Sequence, residues 1–157
     1  MNTSDQNVFT LDNAFQRRWD MELVPNTCDD KKQMNAKISA CNKTITWGNF
    51  QAKINEVIAE KGNESGFSSM EDKRLGCWFI KNQDGVIDTE KFANKVLKYL
   101  WDDAFKFNRN DIFIDEIKNF EELKKSFMGE KGFGIFKDMN FSFETEQIEE
   151  TQASQNE

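Results

Sequence analysis

Fifteen phenylalanines and four tryptophans have to supply most of what this chain can bury, because only 38% of its 157 residues are apolar. Each such ring removes more surface from water than an aliphatic side chain does. The core is therefore expected to be a small set of large rings. The length suits one ordinary domain, or two small lobes that share a core.

The net charge of −7 is gathered at one end. From Asp138 onward there are six acidic residues and no basic one, which leaves 21 basic against 22 acidic residues in 1–137. The near-neutral body offers no broad basic field for a phosphate backbone. Cys28, Cys41 and Cys77 are widely spaced, and histidine is absent. This argues against a secreted disulfide framework and against a structural zinc site. Reduced thiols in a cytoplasmic protein are expected, with Cys41 and Cys77 buried. The opening MNTSDQNVFT has neither the basic start nor the apolar stretch of a signal peptide. No run reaches the apolar length of a membrane span.

Several chemistries are excluded. Without histidine the commonest Ser and Cys triads cannot be built. Asp102–Asp103 and Glu121–Glu122 are adjacent pairs, which do not face each other on a helix, and read as solvated surface. Gly129, Gly132 and Gly134 follow a helical pattern and do not match GxxxxGK[ST], so they read as a turn.

The periodicity predicts a short helix from Val8 to Arg18, with Asp5 or Thr10 as its cap and Arg17–Arg18 at its end. Trp19–Val24 alternates and reads as a strand ending before Pro25. Residues 26–44 are polar and weakly periodic, compatible with a loop and a short helix. Thr46 is expected to cap a helix carrying Trp47, Phe50, Ile54, Val57 and Ile58, which ends near Lys61–Gly62. Leu75–Ile80 (LGCWFI) reads as a short buried strand. Asp88 or Thr89 caps the strongest helix, with Phe92, Val96, Leu97, Leu100, Trp101, Ala104 and Phe105 on its buried face. Asn119 and Glu122 form a capping box for a helix with Phe120, Leu123 and Phe127, closed by Gly129. From about Phe143 the composition is that of a disordered tail.

The opening MNTSDQNVFTLDNAFQRRW resembles a segment of McrB-type AAA+ NTPases of bacterial restriction and defence systems. In that family MNT-(A/S)-D follows the fourth core strand and leads into a helix of the form LD-x-A-(L/F)-x-R-R-(F/W). The likeness continues through W-x-x-F-x-x-x-I-N (Trp47, Phe50, Ile54, Asn55), through EDKRLGCWFI, and through FANKVLKYLWDDAFKF, which is similar to the long helix of the family's lid. It covers roughly residues 1–136.

The resemblance implies a mostly α fold with short strands: the C-terminal portion of an AAA+ P-loop NTPase module. Residues 1–25 would end the α/β core, 26–136 would form the helical lid with a strand near 75–80, and 137–157 the acidic tail. It also implies site residues. Asn2 takes the sensor-1 role beside the terminal phosphate, Asp5 contributes to nucleotide binding, and Arg17 or Arg18 acts as the arginine finger on a neighbour's nucleotide. A guanidinium fork at a helix end has the geometry for that role. No metal ligand is expected in this chain. ATP or GTP with Mg would belong to the full-length parent; the isolated chain, without a phosphate-binding loop, is expected to hydrolyse neither and to bind nucleotide weakly at best. The implied partners are complementary AAA+ subunits in a ring and a nuclease subunit, with DNA reached only through that complex and no membrane. The alternative is an independent small helical protein that binds or regulates an intact motor subunit; a third reading is a non-functional fragment.

Overall fold

In the polar stretch after Pro25, Asp30 accepts a hydrogen bond from the Gln33 amide (2.9 Å) and caps a one-turn helix, α1, Lys31–Met34. The computed structural model describes residues 27–64 and 73–144, with Arg18, Asp20 and Glu22. The remainder of the expected first helix and of the 19–24 strand lies outside the described residues, as does everything beyond Glu144.

After α1 the chain forms a hairpin. Strand β1, Lys37–Ala40, pairs antiparallel with β2, Lys43–Thr46, so that Ile38 faces Ile45. Both isoleucines are buried, while Lys37, Ser39 and Lys43 face outward. The two-residue loop Cys41–Asn42 has φ of 49° and 58°. Positive φ at both central positions is the turn whose twist matches a hairpin. Residues 37–44, read above as part of a stretch of loop and short helix, thus belong to a β-hairpin that runs on to Thr46, and the alternation in KISA and KTIT is its signal. Both flanks of the hairpin are occupied. Lys37 bonds to Gly85 and Ile87 on one side (2.8 Å each), and the Glu144 amide donates to the Thr44 carbonyl on the other (2.8 Å).

Helix α2, Trp47–Glu64, starts where expected, with the Thr46 hydroxyl accepting from the Asn49 amide (3.3 Å). It runs a few residues past Gly62. Trp47, Phe50, Ile54 and Ile58 are fully buried.

The second long helix, α3, opens at Thr89–Phe92 under an Asp88 cap that accepts from the Lys91 amide (2.7 Å). Its later turns, Ala93–Leu97 and Leu100–Ala104, are wound as π-helix. The sequence explains this winding. Buried residues recur in pairs every four positions: Phe92–Ala93, Val96–Leu97, Leu100–Trp101, Ala104–Phe105. A helix of 3.6 residues per turn would rotate each pair about 40° further round, or roughly 120° by the last. The wider turns, with five-apart bonds such as Phe105 to Leu100 (3.0 Å), cancel that drift and keep all four pairs on the core. Asp102 and Asp103 stay exposed and pair with Lys98 and Lys73.

Helix α4, Phe120–Met128, has the expected cap. The Asn119 side chain accepts from the Glu122 amide (2.9 Å) and donates to the Glu122 carboxylate (2.8 Å). Lys124 of α4 donates to Glu90 of α3 (2.9 Å), and this ammonium holds the Glu90 carboxyl below the usual carboxylate range.

The core is built round a cluster of rings, as the composition suggests, with isoleucines and leucines packed about it. Phe50 lies at its centre, with ring centroids of Phe92 at 4.9 Å, Phe136 and Phe141 at 5.7 Å, Trp47 at 6.0 Å and Phe133 at 6.5 Å. The acidic tail therefore begins later than expected. Phe141 is buried and Phe143 packs partly buried on the same cluster, so the folded body extends from 136 to Glu144.

Gly132 joins the hairpin to the last segment. Its φ is +50°, and an added Cβ would lie 2.7 Å from the Cys41 Cβ and 2.9 Å from the Ala40 carbonyl oxygen. Gly132→Ala is therefore expected to lower stability by about 2 kcal/mol, from backbone strain and overpacking together. Urea denaturation of the variant beside the parent chain checks this, and a change below measurement error would contradict it.

Candidate functional site

Segment 73–82 carries the most elaborate polar arrangement among the described residues. It was expected to contain a strand over Leu75–Ile80, and it does not. The backbone runs through turns, with the Phe79 amide bonded to the Gly76 carbonyl (3.1 Å). A buried backbone must still find partners, and here side chains take the place of a neighbouring strand.

Those side chains come from one face of α2 and from α1. Trp47, Gln51 and Asn55 are four residues apart, which places them in a row on α2. The Asn55 amide reads both backbone groups of Leu75, accepting from its N–H (2.7 Å) and donating to its carbonyl (3.0 Å). Gln51 donates to the same carbonyl (2.7 Å), and the Trp47 indole donates to the Cys77 carbonyl (2.9 Å). From α1 the fully buried Gln33 amide donates to the carbonyls of Cys77 (3.2 Å) and Ile80 (2.6 Å), while its oxygen accepts from Asn82. The stretch W-x-x-F-x-x-x-I-N thus meets the Leu75–Cys77 part of EDKRLGCWFI in one contact.

Arg74 sits inside this clamp. On one side of it the Lys73 carbonyl accepts from the Tyr99 hydroxyl (3.0 Å) and the Lys73 ammonium pairs with Asp103; on the other side Leu75 is held as described. The Arg74 Nε is buried and has no acceptor among the described residues. A buried donor of this kind calls for a partner, and a guanidinium on a fixed backbone suits a carboxylate or a phosphate. Next to the clamp lies an open cleft lined by Lys31, Lys32, Asn35, Asn82, Asp84 and Gly85.

The reading of three reduced thiols is corrected here. Cys28 and Cys77 are disulfide-bonded, with a Cα separation of 5.4 Å that falls in the range such bonds require. The expectation that Cys41 is buried fails as well. It occupies the exposed hairpin turn, where its Sγ donates to the Glu130 carbonyl (2.7 Å).

Of the residues singled out by resemblance, Asn2, Asp5 and Arg17 lie outside the described residues, and Arg18 is an exposed turn residue. Gln33, Gln51 and Arg74 went unnoticed in the sequence. The available signal was Gln51 and Asn55, two amides set into the apolar stripe of α2. Among the described residues no group of three or more Cys, Asp or Glu is placed to hold a metal ion. No described helix is long and apolar enough to cross a membrane.

No family model matches this sequence, and no solved structure matches it. Over 140 residues the chain is 32% identical to the Type II restriction enzyme BsuMI component YdiS of Bacillus subtilis (strain 168). The match takes in 87% of this chain and 38% of that protein, so the chain spans well under half the length of its relative.

Proposed function

We propose that this chain works in a DNA restriction system as the sensor-1, arginine-finger and lid portion of an AAA+ motor of the McrB type. The similarity to a restriction-enzyme component along 87% of the chain carries the restriction reading. The motor reading is supported by MNTSD and QRRW at the start and by the clamp, in which two stretches with the family's likeness meet. The sequence contains no GxxxxGK[ST], so the nucleotide and its Mg²⁺ would be held by a subunit that has that loop. In this reading Asn2 and Asp5 belong to the nucleotide site. Arg17 or Arg18 reaches the nucleotide of an adjacent subunit in a ring, and DNA and a nuclease subunit are met only through the assembly. The setting is the cytoplasm.

The test is complementation. The purified chain is mixed with a P-loop-bearing relative whose own finger arginine has been removed, and ATP and GTP hydrolysis are followed. Recovery is expected, with a loss of about a thousandfold when Arg17 and Arg18 are both changed to alanine. No recovery and no association in sedimentation would overturn the proposal, and so would tight Mg-nucleotide binding by the chain alone. A second reading is favoured by the extensive ring-rich core among the described residues: an independent partner that regulates an intact motor subunit. It predicts a change in the hydrolysis rate of an unmutated motor that persists in the double-alanine variant.

A further inference from the structure

Two side chains at one end of α3 are left in states that a free protein does not favour. Phe107, just past the last turn, is 91% exposed, while the other exposed large apolar side chains among the described residues stay at 55% or below. Its turn is nonetheless pinned on both sides. The Asn108 amide donates to the Phe105 carbonyl (3.0 Å), and the Arg109 Nε donates to the Trp101 carbonyl (3.0 Å). Arg74 has the opposite defect: its Nε is buried and meets no acceptor among the described residues. A chain of contacts joins the two. Lys73 pairs with Asp103 in the last turn of α3, and the Lys73 carbonyl accepts from Tyr99 of the same helix, which fixes Arg74 against that end. The Asp103 carbonyl accepts from the Lys106 amide (3.5 Å), and the Lys106 ammonium lies over the Phe107 ring, 5.5 Å from its centroid.

We propose that this end of α3 is a docking surface for a protein partner, with Phe107 entering an apolar pocket and Arg74 taking a carboxylate beside that pocket. Rings and guanidinium groups on a rigid support are the side chains that carry most binding energy at protein interfaces. The charge left over at this end selects an acidic partner. Asp102 and Asp103 are taken up by Lys98 and Lys73, whereas neither Arg74 nor Lys106 has a carboxylate among the described residues. A carboxylate can meet the guanidinium through two oxygens and satisfy the orphaned Nε. Two cations fall short of the run that a nucleic-acid backbone calls for. The partner is the P-loop-bearing subunit of the proposed assembly; that choice rests on the motor reading, while the patch itself does not.

The full chain, Phe107→Ala and Arg74→Met are each titrated against that subunit in sedimentation, and their urea midpoints are measured alone. Each variant is expected to bind about tenfold more weakly or worse. Arg74→Lys, which keeps the charge but not the Nε donor, should recover only part of the loss. The isolated variants should behave differently from ordinary destabilised ones. Phe107→Ala should keep the parent's midpoint, since its ring is in water. Arg74→Met should keep or raise it, because it deletes a buried donor that has no acceptor. Unchanged affinity in either variant, with the parent chain binding, would overturn this surface and leave the motor reading standing; no association by the parent chain would overturn both. A midpoint that falls in Arg74→Met would show that the guanidinium is held within the chain. Binding of pyrophosphate or of a single-stranded oligonucleotide that Arg74→Met abolishes would make this a phosphate site. Either result would also overturn the proposal.

Discussion

Replacing Phe50 by alanine is expected to remove about 4 kcal/mol of stability, within the range found when a buried ring is deleted and its surroundings relax only in part. The size follows from where the ring sits. Phe50 is fully buried and touches rings from α2 itself, from α3 (Phe92) and from the last described segments (Phe133, Phe136, Phe141). None of these neighbours can move into the gap without leaving its own contacts. Chemical denaturation followed by tryptophan fluorescence measures the loss, with Phe50→Leu expected to cost much less. A loss under 1 kcal/mol for the alanine variant would show that the cluster repacks freely and that Phe50 is not its centre.

Gln33→Leu is expected to cost a similar amount, about 4 kcal/mol, by another route. Leucine matches the volume but makes none of the hydrogen bonds. The Ile80 carbonyl and the Asn82 groups lose a buried partner, and each buried group left unsatisfied costs about 1–3 kcal/mol. The damage should be local at first. Amide exchange is expected to quicken through residues 75–82 while α4, on other contacts, keeps its protection. Uniform quickening across α4 would mean that the clamp supports the whole body rather than one turn.

How much of this was legible in advance depended on whether one stretch of sequence carried its own explanation. The caps at Thr46, Asp88 and Asn119 need only residues within a turn of each other, and all three are present. The ring-rich core followed from composition, with isoleucines and leucines packed around the rings. LGCWFI misled because its apolar residues signal a buried strand, whereas only Leu75, Cys77 and Ile80 are buried, Trp78 is exposed, and nothing in the stretch shows what satisfies its backbone. The partners are Gln33 and Gln51–Asn55, some 20 to 49 residues away, and no local pattern announces them. The Cys28–Cys77 pairing is hidden for the same reason, at a separation of 49 residues. Phe141 and Phe143 were discounted because the residues around them are those of a solvated tail, yet two rings suffice to fasten eight more residues to the body. For the candidate site, the opening motif names residues that lie outside the described part, apart from Arg18. The clamp, by contrast, was visible only in its separate halves.

The π-wound turns of α3 also bear on how this chain is matched to others. Each wide turn holds an extra residue relative to an ordinary helix of the same reach. Laid residue for residue against a straight α-helix, the inward positions fall out of step, and a one-residue gap within Ala93–Leu97 and another within Leu100–Ala104 bring them back. Kinship carried by this helix is therefore masked in ungapped counting, although the surface it presents to the core is unbroken.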